Sequence, residues 1–187
     1  DTSILVLDEP LVNLDYKLRE SMRGELKRMH KELGVTIIYA TPDPVDPLAM
    51  ADYLAVMNQG RIEQSGDPVE VYNKPKNIFV AKYYGMPRIN ILECQMIKED
   101  ENLILNGESF RLTLSQRLHQ LLVEKGLQKD ILMGIRPEDL IIAQQCDKNQ
   151  LSIIGTVQSY EVVGSDTIIY IDVGGTLIQI YLPYIYM

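Results

Sequence analysis

Two adjacent carboxylates, Asp8 and Glu9, close the apolar run Ile4-Leu5-Val6-Leu7 and are followed at once by Pro10. Successive residues of an extended segment point to opposite sides, so the two acids would do different jobs. At a strand end in a nucleotide hydrolase, one carboxylate holds Mg²⁺ beside the β- and γ-phosphates, and the next orients and deprotonates the attacking water. The same pair on an ordinary strand is only a solvated terminus, so the surrounding residues have to decide. Other reactive side chains are sparse. The two cysteines, Cys94 and Cys146, have no second Cys or nearby His at metal-ligand spacing, and read as small buried hydrophobes in a reducing compartment rather than a disulfide. Of the two histidines, His30 falls in a helical stretch and His119 in the second half of the chain.

The elements that would carry the acidic pair alternate between strand and helix. Ile4 to Leu7 reads as a short buried strand. From Asp15 onward, Leu18, Met22, Leu26, Met29 and Leu33 recur at spacings of three and four, one face of a helix, and Gly34 stops it. Met22 and Met29 on that stripe read as core. Val35 to Tyr39 is β-branched and apolar, a second buried strand, and strand-helix-strand of this size implies a parallel pair with a right-handed crossover. A Pro-rich segment, Thr41 to Pro47, leads to a short helical run through Met50 and Ala51. A hairpin follows, with Tyr53 to Met57 and Arg61 to Gln64 flanking Asn58-Gln59-Gly60, and Met50 and Met57 read as core. Asp67 to Val71 and Asn77 to Tyr84 read as short helices, Gly85-Met86-Pro87 breaks the pattern, and a domain boundary is expected near Arg88.

Beyond it, short strands dominate: Leu92 to Lys98, Asn102 to Leu105, Ile131 to Ile135, Leu140 to Gln144, Ile153 to Val163, Thr167 to Val173 and Thr176 to Leu182. One helix, Ser115 to Lys125, has Ser115 as N-cap and Gly126 as its stop. This pattern suggests a small OB-like β-barrel. Val163-Gly164-Ser165-Asp166 and Gly174-Gly175 lie between strands and read as hairpin turns rather than phosphate loops. Tyr160, Tyr170, Tyr181, Tyr184 and Tyr186 are assigned to core and interface rather than to a stacking platform.

Composition narrows the classes further. A chain of 187 residues holds one or two domains. Its net charge of −8 leaves no basic field for a phosphate backbone, which argues against nucleic acid as a partner. Up to Arg88 there are 11 basic and 13 acidic residues, a net of −2; beyond it 7 and 13, a net of −6. No apolar run approaches the roughly 20 residues that span a bilayer, and no leader pattern is visible, so a soluble cytosolic chain is expected. Both ends are apolar, which suggests a fragment.

The run Leu7-Asp8-Glu9-Pro10-Leu11-Val12-Asn13-Leu14-Asp15 resembles the Walker B motif and D-loop of ABC transporter ATPase subunits. Thr36-Ile37-Ile38-Tyr39-Ala40-Thr41 resembles the strand before their switch-histidine loop. Ala55 to Gln64 and Pro68 to Pro75 are similar to the following segment in sugar importers. Gly134-Ile135-Arg136-Pro137-Glu138-Asp139 is similar to the signature of the accessory C-terminal β domain (TOBE) of the maltose and glycerol-phosphate branch. The resemblance spans nearly the whole chain, in the family's order. It implies an α/β fold: the C-terminal half of a P-loop NTPase domain over residues 1–88, then an OB-like TOBE domain over 89–187, truncated at its C-terminus.

The same resemblance implies ATP and Mg²⁺ as cofactors, Asp8 on the Mg²⁺, Glu9 as catalytic base and Asp15 against a second ATPase subunit. It implies permease subunits as partners, an extracytoplasmic solute-binding protein reached through them, and a cytoplasmic location, peripheral on the inner face of the membrane. Two departures matter. No Gly is followed by Lys, so the phosphate loop Gly-x-x-x-x-Gly-Lys-Ser/Thr is absent, as is a Gly-Gly signature loop, and this chain alone should bind ATP weakly. Pro42 stands at the switch-histidine position, and a proline side chain neither donates a hydrogen bond nor relays a proton. That reads either as a slowed site or as a tolerated variant. The expected function is the ATP-hydrolysing subunit of an importer for a sugar or polyol-phosphate-like solute. The rival reading is a non-catalytic regulatory or dimerisation module whose β domain binds a small ligand or regulator. The chain alone should also associate, because Ile4 to Leu7 and Val35 to Tyr39 belong to a sheet whose neighbouring strands are mostly absent, leaving unpaired edges and apolar faces.

Overall fold

The computed structural model describes residues 4–100, 102–124, 126, 129–143 and 151–183. The chain divides into two units, Asp1–Gly85 and Met86–Met187.

In the first unit, β1 (Ile4–Asp8) pairs in parallel with β2 (Thr36–Ala40), Ile4 opposite Thr36 through Asp8 opposite Ala40. The helix between them, α1 (Tyr16–Leu33), begins where the Asp15 carboxylate accepts the Leu18 N–H at 2.9 Å. It ends at Gly34, whose φ of 63° lets its N–H reach the His30 carbonyl. Next come α2 (Val45–Met50), the hairpin β3 (Leu54–Asn58) and β4 (Arg61–Gly66), and the short helices α3 (Pro68–Asn73) and α4 (Ile78–Tyr83). Asp67 and Asn77 cap the last two with their side chains. The hairpin turn needs more than its glycine: Gln59 (φ 47°) and Gly60 (φ 76°) are both left-handed, the primed turn that follows the twist of the strands.

The core of this unit lies under the hairpin, where Leu54, Val56, Val71, Val80 and Tyr84 are buried together. Burial pushes the Tyr84 phenol up to about 12. The expectation that β1 and β2 are buried is wrong. Ile4, Val6 and Ile38 are 53%, 67% and 53% exposed, and the strands alternate exposed with half-buried residues. Among the described residues their sheet has two strands, and the apolar side chains of one face meet no second layer. The core assignments for Met22 and Met29 fall short for the same reason: α1 has no fully buried residue, and both methionines are half-buried. Met57, expected in the core, is 61% exposed because it alternates with the buried Leu54 and Val56 to face away from the core. Met50 is half-buried.

The second unit holds β5 (Asn90–Glu99), β6 (Asn102–Gly107), β7 (Arg111–Thr113), α5 (Gln116–Glu124), β8 (Asp130–Ile135), β9 (Thr156–Val163), β10 (Asp166–Val173) and β11 (Thr176–Pro183). They form two antiparallel sheets, ordered β7-β6-β5-β8 and β11-β10-β9. One core joins them: Leu92, Cys94, Leu103, Leu105, Phe110, Leu112 and Leu114 from the four-stranded side, Val173 and Ile178 from the other. The buried Asn90 fastens the sheets, donating to the Gln179 carbonyl at 2.8 Å and accepting the Gln179 N–H at 2.7 Å. A side-chain amide here copies a backbone strand pairing where the backbones themselves do not pair.

Several expectations shift in this unit. Leu140–Gln144 is not a strand over its described residues: a 3₁₀ turn at Pro137–Asp139 precedes it, and 140–143 are irregular with Ile141 and Ile142 exposed. Strand β7 has no counterpart among the expected strands, and β9 starts at Thr156 rather than Ile153. Gly164 (φ 67°) lies between β9 and β10, and Gly174 and Gly175 (φ 59° and 87°) between β10 and β11, as hairpin turns require. Ser115 accepts the Leu118 N–H as N-cap of α5. Tyr160 is exposed rather than in the core, while Tyr170 and Tyr181 are half-buried. Cys94 is buried, and burial pushes its thiol up. Cys146, Tyr184 and Tyr186 lie outside the described residues.

Candidate functional site

The parallel pairing of β1 with β2 sets the site. Asp8 is opposite Ala40, so Glu9 and the Thr41–Pro44 loop leave the same end of the two-stranded sheet. Ligands of open parallel sheets bind outside the carboxyl ends of strands. Glu9 takes a left-handed φ of 46°, rare and strained for a side-chain-bearing residue, while its N–H donates to the Ala40 carbonyl at 2.9 Å. That bond extends the ladder by one residue as the chain turns away. Asp8 and Glu9 are both exposed. Within the following turn Leu11 is buried, Val12 N–H reaches the Glu9 carbonyl, and Leu14 N–H the Leu11 carbonyl. The loop closes on Asp15, whose carboxylate is engaged as the α1 cap.

On the β2 side, Pro42 is exposed, and its carbonyl accepts the Tyr83 hydroxyl at 3.1 Å. His30, near the end of α1, lies against the residue before β2, with Nδ1 2.7 Å from the Val35 carbonyl.

Sequence reasoning missed what holds the Pro42 loop. Asp46 on α2 is only 2% exposed and sits among charged and hydroxyl donors. Its Oδ1 meets Arg23 of α1, with Nε at 2.7 Å and the second contact at 2.5 Å. Its Oδ2 accepts from the Tyr39 hydroxyl at 2.9 Å and the Thr41 hydroxyl at 3.1 Å. Thr41 Oγ1 also accepts the Asp43 N–H at 3.0 Å, and Asp43 Oδ1 accepts the Val45 N–H at 2.8 Å. Arg19 of α1 pairs with Asp43 Oδ2 at 2.7 Å. Burial, then the hydrogen bond to Asp46, raises the Tyr39 phenol far above its ordinary range. Arg19 and Arg23 are four apart on one helix, a spacing that puts both on one face and was the available signal.

As chemistry, the strand end presents an exposed carboxylate pair. Among the described residues, no group of three or more His, Cys, Asp or Glu side chains could hold a metal by itself. A hard cation met by one carboxylate, with phosphate oxygens and water completing the shell, suits Mg²⁺, and the exposed Asp8 carboxylate fits that donor set.

The MalK OB fold domain family matches residues 85–140, and the TOBE domain family matches residues 133–182. The trehalose/maltose import ATP-binding protein MalK of Thermococcus litoralis is 42% identical over 176 residues, covering 92% of this chain and 46% of that protein. The sulfoquinovosyl glycerol transport ATP-binding protein SmoE of Agrobacterium fabrum is 37% identical, covering 96% and 48%. The maltose/maltodextrin import ATP-binding protein MalK of Mannheimia succiniciproducens is 36% identical, covering 91% and 45%. The second unit thus carries OB fold and TOBE domains of the MalK type, and the chain is homologous to part of MalK-type ABC importer ATP-binding proteins. It spans about half the length of these relatives. Among the described residues, no helix is long and apolar enough to cross a membrane.

Proposed function

We propose that the chain is part of the ATP-binding and ATP-hydrolysing subunit of an ABC importer for a sugar or polyol-phosphate-like solute. Residues 1–88 would belong to its ATPase domain and 89–187 to its accessory β domain. The observation that carries the proposal is the Asp8-Glu9 pair leaving the same sheet end as the Pro42 loop, in a chain that matches importer ATP-binding proteins over nearly all its length.

Mg²⁺ with ATP would supply charge neutralisation at the phosphates. Asp8 is the carboxylate that would hold the ion. Glu9 would accept the proton of the attacking water, and its exposed position at the turn leaves that carboxylate accessible. Pro42 offers no side-chain donor or acceptor, so Glu9 would act without help from that position. Asp15 would face the second ATPase subunit. Permease subunits would anchor the assembly peripherally on the cytoplasmic face of the membrane, with the solute-binding protein on the other side.

The full-length gene product decides the matter. It should carry a Gly-x-x-x-x-Gly-Lys-Ser/Thr loop upstream of Asp8 and turn over Mg-ATP, and Glu9→Gln should lower that turnover by about 100-fold or more. Absent turnover removes the enzyme reading and leaves the β domain as a regulatory or dimerisation module; turnover indifferent to Glu9→Gln removes Glu9 as the catalytic base. The exposed Val157, Tyr160 and Val162 on β9 favour that second reading, since side chains of this kind form contact surfaces.

A further inference from the structure

We propose that Asp46 is a positioning residue: through Thr41 and Tyr39 it sets the place of the Pro42 loop relative to Glu9, and Arg23 locks it to α1. The proposal rests on the ATPase reading above for its catalytic consequence, and on the hydrogen-bond pattern alone for its mechanical one.

The loop needs such a device because of its composition. Pro42, Pro44 and Pro47 lack N–H groups, so three of the seven residues from Thr41 to Pro47 cannot be held by backbone donation. Side chains do the holding instead. Thr41 donates its hydroxyl proton to Asp46 and uses a lone pair for the Asp43 N–H, so the residues on both sides of Pro42 are tied to one hydroxyl. The free direction of that hydroxyl is set by Asp46, whose second oxygen has the Tyr39 proton as well. Asp46 in turn cannot drift, because Arg23 approaches Oδ1 with two nitrogens. Arg19 and Asp43 make a parallel tie one turn earlier on the same helix. An apolar residue in this buried place would pack without fixing Thr41. The gain from the buried charge is therefore one of geometry more than of stability.

α1 starts at Asp15, directly after the loop that follows Glu9. The chain that leaves Glu9 and the chain that carries Pro42 are thus fastened to one rigid helix, through Asp15 at its start and Arg19 and Arg23 along it. A displacement of about 1 Å at a reacting centre is enough to cost about 100-fold in rate.

The test uses the full-length gene product and Asp46→Asn. The amide keeps the size but offers one oxygen, so it cannot accept from Arg23 and from both hydroxyls together; an NH2 in the place of Oδ2 would reverse the bonds to Thr41 and Tyr39 and turn the Thr41 hydroxyl from its present direction. Turnover of Mg-ATP should fall about tenfold or more with KM for ATP within about twofold, and Asp46→Glu should recover part of it. A folded Asp46→Asn with turnover within twofold of the parent overturns the proposal, as does a loss of turnover matched by a rise in KM. Hydrogen exchange gives a second readout that does not need catalysis. The Asp43 and Val45 amides should exchange at least about tenfold faster in Asp46→Asn, with the β3–β4 hairpin amides unchanged. Equal exchange at Asp43 overturns the proposal whether or not the parent hydrolyses ATP. A parent without turnover but with faster Asp43 exchange in the variant removes the ATPase reading alone and supports the positioning role.

Discussion

Tyr39 shows how one buried carboxylate governs its neighbours. Its hydroxyl donates to Asp46, and its phenol is raised by burial and by that bond. The folded state therefore keeps a proton that the unfolded chain releases near pH 10, so the native state binds more protons over that interval. Stability from this group is fully present below about pH 10 and is lost as pH rises toward the folded value. Tyr39→Phe should cost about 1.5 kcal/mol near neutral pH, where a donor to a buried charge is removed. The gap between parent and variant should narrow above pH 10. Urea unfolding from pH 7 to 11.5 checks both parts, and a constant gap across that range contradicts the assignment. None of this was legible beforehand, because Asp46 acquires its role only when α1, β2 and α2 meet. By contrast, the Asp8-Glu9 pair stands out locally at the end of an apolar run, and the family resemblance of the surrounding motifs points to Pro42 and Asp15.

At the level of elements, short-range signals in the sequence coincide with observed boundaries. Gly34 ends α1, Ser115 caps α5, and the three two-residue turns fall where glycine allowed them. Strand–helix–strand gave the parallel β1–β2 pair. What periodicity missed is how elements are joined at a distance. Asn90 and Gln179 are far apart in the chain, and nothing local marks an asparagine as a bridge between two sheets. Asn90→Ala leaves both the Gln179 N–H and its carbonyl without that partner inside a buried seam. It should destabilise the second unit by about 2–3 kcal/mol, read as a lower urea midpoint with unchanged slope. A variant within 0.5 kcal/mol of the parent, on the order of an ordinary surface substitution, would show that the bridge is dispensable. The missing strand at 140–143 has a related origin: its apolar letters suit a strand, but the Pro137–Asp139 turn ahead of it delivers them without a pairing partner.

For the whole molecule, the apolar faces decide behaviour in solution. Ile4, Val6 and Ile38 stand exposed on a sheet of two strands, and a parallel pair of this composition is normally covered on both faces. The 187-residue chain should self-associate, and the double change Val6→Lys and Ile38→Lys should reduce the association at equal concentration in sedimentation velocity. A monodisperse parent chain at tens of micromolar contradicts this.

Composition, turn chemistry and the order of short motifs were enough to establish the class of elements, the carboxylate pair and the family resemblance, because each depends on residues within a few positions of one another. Tertiary structure alone decided that Asp46 is buried and fully satisfied and that Asn90 joins two sheets. Those properties depend on which surfaces meet and which find no cover, and burial is a property of the pair of surfaces rather than of either segment.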